Sequence, residues 1–107
     1  MLPKNRRIPR KLLGLILESK KYFNSVHFSL RVAPSNVTRV AISVSKKVSK
    51  YAVVRNRIRR RTYSAIQLLI PNLSHNLYLL IAKQGAEKVK GKELENELKS
   101  LVASCRL

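Results

Sequence analysis

Residues 25–33 alternate: Val26, Phe28, Leu30 and Val32 point one way, and His27, Ser29 and Arg31 the other. A period of two predicts a strand with one face on a core and one face polar. Turn residues follow at Pro34, Ser35 and Asn36. The alternation then repeats, with Val40, Ile42 and Val44 inward and Arg39, Ala41, Ser43 and Ser45 outward. So short a turn predicts an antiparallel hairpin. The small side chains at Ala41, Ser43 and Ser45 leave the outward face low enough for a ligand to approach.

Elsewhere the period lengthens. "NRRIPRKLLGLILESKK" reads as a basic lead-in and a short helix, with Pro9 in its first turn and Leu12, Leu15 and Ile16 on one stripe. Leu13 and Leu17 lie beside that stripe. "RNRIRRRTYSAIQLLI" reads as a second helix, stopped by Pro71. Ile58, Ala65, Ile66 and Leu69 group on one side of it, and Asn56, Arg60, Tyr63 and Gln67 stand opposite. "LYLLIAK" is nearly continuous in apolar residues, as a buried strand would be. "ELENELKSLVASC" spaces Leu94, Leu98, Leu101 and Val102 as a closing amphipathic helix.

The expected order is α-β-β-α-β-α, an α+β sandwich in one domain over residues 1–107. The second strand, the arginine helix and the third strand make a βαβ unit, which implies a parallel neighbour in a mixed sheet.

Charge sharpens the picture. The 107 residues carry 23 Lys and Arg against 5 acids, a net charge of +18. Every acid is a glutamate, and residues 19–86 contain none. Cations in the middle of the chain therefore have almost no internal partner, as expected of a surface that meets phosphate. Eight of the sixteen residues 46–61 are cationic. Arginines at the start of a helix oppose its dipole and repel one another, whereas their planar forks suit phosphates and guanine edges. The outward sheet face, with His27, Ser29, Arg31, Arg39, Ser43 and Ser45, forms a shallow platform better suited to a single strand than to a duplex.

Catalytic chemistry by the polypeptide is not expected. There is no aspartate, no CxxC or HExxH spacing, and no base beside Ser43 or Ser45. His27 and His75 are far apart in sequence and read as surface residues. The single Cys105 cannot form an internal disulfide and fits a reducing cytoplasm. No stretch reaches the ~18 apolar residues of a membrane span. The basic start followed by "LLGLIL" lacks a small-residue cleavage site and reads as mature protein.

The ordered block "RVAISVSKKVSKYAVVRNRIRRR", residues 39–61, resembles the protein subunit of bacterial ribonuclease P. It brings Ser45-Lys46-Lys47, Ala52 and Arg55-Asn56-Arg57 in sequence, with "RRI" near the start of the chain and "YLLIAK" downstream. The resemblance implies a sandwich with a left-handed βαβ crossover, of the ribosomal protein S5 domain 2-like kind, against the usual right-handed expectation. It also implies a protein that assists a catalytic RNA in cutting the 5′ leader from precursor tRNA, one protein to one RNA, in the cytoplasm. Mg²⁺ and the chemistry would belong to the RNA, and no protein motif binds a cofactor. By resemblance, Lys46, Lys47, Arg55, Asn56, Arg57, Arg59, Arg60 and Arg61 contact the catalytic RNA. The leader lies between the first helix and the sheet, on Leu13, Leu17, Phe23, His27, Ser29, Arg31, Arg39, Ser43 and Ser45. Where the family often carries aromatics on the first helix, this chain has Leu13 and Leu17, which offer only apolar contact, so leader affinity is expected to be weaker or to depend on Phe23 and Tyr22. A small ribosomal or general RNA-binding protein is the alternative. It accounts for the charge but not for the ordered block. A cationic membrane-active protein would need a longer basic helix with a broad apolar face.

Overall fold

β-Branched and aromatic residues build four strands: β1 (Tyr22–Asn24), β2 (Phe28–Pro34), β3 (Arg39–Ser43) and β4 (Asn76–Ala82). Two helices, α1 (Ala52–Gln67) and α2 (Gly91–Ser104), complete the regular elements, with short 3-10 turns at Ile70–Asn72 and Ala86–Lys88. The computed structural model describes Ile8, Gly14, Ile16 and residues 21–104. Gly14 and Ile16 are helical. The remainder of the expected first helix, Leu13 and Leu17 included, lies outside the described residues.

The mixed sheet runs β1-β2-β4-β3. β4 pairs antiparallel with β2 and parallel with β3, so β3, α1 and β4 form the expected βαβ unit. The expected hairpin is corrected: β2 and β3 flank β4 and do not pair. Two strand spacings are about 10 Å, and the four residues between β2 and β3 can reach about 13 Å. The short loop therefore crosses over the start of β4, where the Thr38 hydroxyl donates to the Ser74 carbonyl at 3.3 Å. β4 is an interior strand whose one face meets the main core and whose other is partly covered by the Ile16 cluster, so it is apolar on both.

One face of the sheet presents Phe28, Leu30, Val32, Val40, Ile42, Tyr78, Leu80 and Ala82 to the main core. The helices close that core with Ile58, Ala65 and Ile66 from α1 and Leu94, Leu98, Leu101 and Val102 from α2. The buried Tyr78 hydroxyl donates to the Ser74 carbonyl at 2.8 Å, which satisfies its polar end. The other face carries a smaller cluster of Ile16, Ala33, Leu77 and Leu79, with Ile8, Ala41 and Ile81 half-buried against it.

Several local expectations shift. β1 is an addition to the expected elements, and Val26, expected inward, is 78% exposed in the bend between β1 and β2. α1 begins three residues before Arg55 because extended Tyr51 serves as its N-cap. Ala52, Val53 and Val54 thus take the first positions, and the arginines begin at the end of the first turn, which eases the conflict with the helix dipole. α1 ends at Gln67, and Pro71 falls within the following 3-10 turn. Thr62 is polar yet fully buried on the core stripe, its hydroxyl donating back to the Ile58 carbonyl at 2.7 Å.

Candidate nucleic-acid interface

α1 carries the densest charge. Its core stripe pins the helix beside α2 and over β3, and this decides which arginines meet solvent. Arg55 is half-buried and donates to the Ser49 carbonyl at 2.9 Å. Arg61, also half-buried, donates to the Glu87 carbonyl at 3.1 Å. Arg59 donates to Asn56 Oδ1 at 2.8 Å. Asn56, Arg57 and Arg60 are exposed, and among the described residues Arg57 and Arg60 have no hydrogen-bond or ion-pair partner. The six residues named from the sequence thus divide into three cations anchored on the protein and an outward set of Asn56, Arg57 and Arg60.

No acidic residue lies in the first turn of α1 and no side chain caps it. Lys46 and Lys47 occupy an exposed turn directly after β3, held where Gln84 Nε2 donates to the Lys47 carbonyl at 3.2 Å. This turn carries positive charge round the β3 edge, from the open sheet face to α1 on the opposite side.

On the open face, strand register aligns side chains in rows. Tyr22, Arg31, Leu79 and Ala41 form one row, and Asn24, Ser29, Ile81 and Ser43 the next. Ala33, Leu77 and Arg39 form a third, at the end covered by Ile16. Ser29, Arg31, Arg39 and Ser43 therefore do share one surface, with Ser45 exposed just past its edge. Its floor is apolar, through Leu79 and Ile81 of β4. Tyr22 is 58% exposed, and the Arg31 guanidinium carbon lies 5.8 Å from its ring centroid.

Two predicted platform residues are elsewhere. Phe23 pairs with Leu30 in register and packs against the main core, on the side away from the platform. His27 lies in the bend before β2, where strand alternation no longer governs direction. Its Nδ1 sits 2.6 Å from Glu97 Oε1 of α2. Its backbone N–H and the Ser25 hydroxyl both donate to Glu97 Oε2, at 2.8 Å and 2.5 Å. Burial alone would raise the Glu97 carboxyl, but the His27 ring, the Ser25 hydroxyl and the His27 N–H outweigh it and hold Glu97 below its ordinary value. In the Ser25–His27–Glu97 cluster the hydroxyl bonds the carboxylate rather than the imidazole, so no base is aligned to activate it.

Tyr22 and Asn24 are the platform residues the alternation pattern misses, because β1 is only three residues long. Adjacent aromatics at Tyr22 and Phe23 are the available signal, since such residues favour strands.

Among the described residues no three His, Cys, Asp or Glu side chains come together. A surface dominated by arginine also repels divalent cations.

The sequence profile of the ribonuclease P family matches residues 2–106. The chain belongs to the ribonuclease P protein family. The ribonuclease P protein component of a Pseudanabaena species is 30% identical, over 100% of this chain and 97% of that protein. Its counterpart in a Picosynechococcus species is 32% identical, over 94% of this chain and 90% of the relative. The fold is shared with the Staphylococcus aureus RNase P protein, at a TM-score of 0.84 and 22% identity, covering 96% of this chain and 97% of that one. The Thermotoga maritima RNase P protein superposes with a TM-score of 0.81 at 17% identity, covering 92% and 96%. Within that fold α1 and α2 cover one face of the mixed sheet, and on the other helical Ile16 covers one end. Among the described residues no helix is long and apolar enough to cross a membrane.

Proposed function

We propose that the protein is the RNA-docking subunit of a ribonuclease P holoenzyme. It binds the catalytic RNA through the outward face of α1 and the 5′ leader of precursor tRNA across the open sheet face. The observation that carries this reading is the separation of the two basic surfaces. Asn56, Arg57 and Arg60 stand exposed on one side of the molecule, and the Tyr22–Arg31 and Ser29–Ser43 rows lie on the other. One polyanion can be held on each side at once, one protein to one RNA.

In this reading the polypeptide performs no bond chemistry, and Mg²⁺ acts with the RNA. α1 neutralises backbone phosphates, which displaces condensed counterions. The platform offers a shallow apolar floor with arginine and serine at its margins, the arrangement that holds an unpaired strand by stacking and phosphate contact. Arg31 supplies the cation beside the leader, and Tyr22 the ring face. Lys46 and Lys47 carry phosphate attraction between the two surfaces.

Reconstitution with a bacterial catalytic RNA tests the reading. The protein is expected to stimulate precursor tRNA cleavage at low Mg²⁺, where cations from the protein replace part of the ionic requirement. A protein that binds the RNA without stimulating cleavage under those conditions overturns it.

A further inference from the structure

The outward face of α1 is not a simple array of charges. Val53, Asn56, Arg59, Arg60 and Tyr63 line a hollow of about 480 Å³ on its surface. That falls in the range of ligand pockets, about 300–1,000 Å³. Its apolar surfaces are the Val53 side chain, 66% exposed, and the half-buried Tyr63 ring. Residues 53, 56, 60 and 63 follow one another on a single helix stripe. Phosphate recognition has no use for an apolar recess, because phosphates are met by projecting donors. A flat aromatic ligand does.

The polar groups at the hollow are mostly donors, with the Tyr63 hydroxyl able to donate or accept. Arg59 occupies Asn56 Oδ1 at 2.8 Å, which fixes the amide orientation and leaves Nδ2 without an acceptor among the described residues. Arg60 is exposed and likewise unpaired among them. A majority of donors around an apolar recess favours a planar group whose edge carries acceptors. The surrounding arginines select one that belongs to a polyanion.

We infer that this hollow receives an unstacked nucleobase of the catalytic RNA, seated against Tyr63 and Val53, with its acceptor edge toward Asn56 and Arg60. The inference rests on the reading that α1 docks on that RNA. Guanine fits best, since its O6 and N7 are paired acceptors for an arginine fork. On this account α1 recognises a position in the RNA where a base is turned out, in addition to holding the backbone.

The test probes the assembled protein–RNA complex with hydroxyl radicals for the backbone, and with dimethyl sulfate and a carbodiimide for the bases. In the wild type, one unpaired base is expected to become protected within the α1 backbone footprint. Tyr63→Leu keeps an apolar side chain but removes the ring. It should re-expose that base, weaken affinity about tenfold, and leave the salt slope unchanged because the same phosphates stay neutralised. Tyr63 also packs against the core, so Val53→Asn serves as an independent variant. Its position is exposed and the two residues have similar helix propensity. A backbone footprint without base protection, or base protection indifferent to both variants, overturns this inference alone. Absence of any footprint along α1 overturns the docking reading as well.

Discussion

Glu97 of α2 grips both ends of the bend that joins β1 to β2: its Oε1 meets His27 Nδ1 at 2.6 Å, and its Oε2 accepts from the Ser25 hydroxyl at 2.5 Å. The two partners lie about seventy residues away in sequence, and the carboxylate also accepts from the His27 N–H. On the other strand, the His27 carbonyl accepts from the Lys83 N–H at 2.8 Å, and Lys83 Nζ donates to the Ser25 carbonyl, also at 2.8 Å. The bend is tied from two sides, which fixes where β1 meets β2 and hence where Tyr22 stands on the platform.

Glu97→Gln is expected to lower stability at neutral pH by about 1–3 kcal/mol, the scale of hydrogen bonds to a charged group. The pH dependence follows from the lowered carboxyl. Folded Glu97 holds its proton less tightly than the unfolded chain does. The wild type therefore has the full contribution above the usual glutamate value of about 4.3 and loses it as pH falls through the lower folded value. Thermal unfolding of both proteins between neutral and acidic pH should show the gap narrowing on the acid side. A gap that stays constant would deny the carboxylate its role.

Gly85 sits beside the same cluster with φ +92, and a Cβ there would lie 3.7 Å from His27 Cδ2. That distance is an ordinary contact, so the cost of Gly85→Ala comes from the left-handed backbone, about 1–2 kcal/mol. Gly85→Asn should be the milder change, because asparagine tolerates this region. Denaturant midpoints for the two variants rank them, and equal losses would point to crowding of His27 instead.

Helices α1 and α2 and the inward faces of β2 and β3 could be read directly from sequence, because burial imposes a period that survives inspection. Leu94, Leu98, Leu101 and Val102 are all buried as spaced. Strand neighbours could not be read that way. The loop between β2 and β3 is long enough for a crossover and short enough for a hairpin. What distinguishes them is the two-sided apolarity of β4, which marks a strand with cover on both faces and belongs in the middle of a sheet. His27 leaves the platform because a bend at residues 26–27 interrupts the alternation that would place it there, and Phe23, placed there by resemblance, shares the core-facing row of Leu30. The arginine block was legible as a dense run of positive charge on a helix. Which arginines stay outward depended on the carbonyls of Ser49, in the turn before the helix, and of Glu87, 26 residues beyond Arg61, and neither follows a helical period.

Arg57→Ala should separate stability from binding. Arg57 is exposed and lies within helical reach of Arg60 and Arg61, a like-charge arrangement that costs about 0.2–0.5 kcal/mol per pair. Alanine also has the better helix propensity. The free variant is expected to melt at the same temperature or slightly higher. Its affinity for the catalytic RNA should fall, and the slope of log affinity against log salt should drop by about 0.7–0.9 for each phosphate no longer neutralised. Arg60→Ala should behave likewise. Filter binding over a salt series, paired with calorimetry of the free proteins, measures both effects, and an unchanged slope in both variants would remove α1 from the interface.

Tyr22→Ala probes the platform from the other side of the sheet. At 58% exposure the ring adds little to the core, so folding should be nearly unaffected. A base stacked on it contributes about 1–3 kcal/mol, and loss of the ring should weaken holoenzyme binding of precursor tRNA by roughly five- to 150-fold. Mature tRNA, which has no leader, should bind as before. Tyr22→Phe keeps the ring face toward Arg31 and should retain the discrimination, because stacking and the cation contact need the face and not the hydroxyl. Equal weakening of precursor and mature tRNA would assign Tyr22 to the tRNA body. No weakening of either would leave the leader to the Ser29–Ser43 row and to Arg39 in the row beyond Arg31, which without an aromatic would have to hold it by phosphate contact alone.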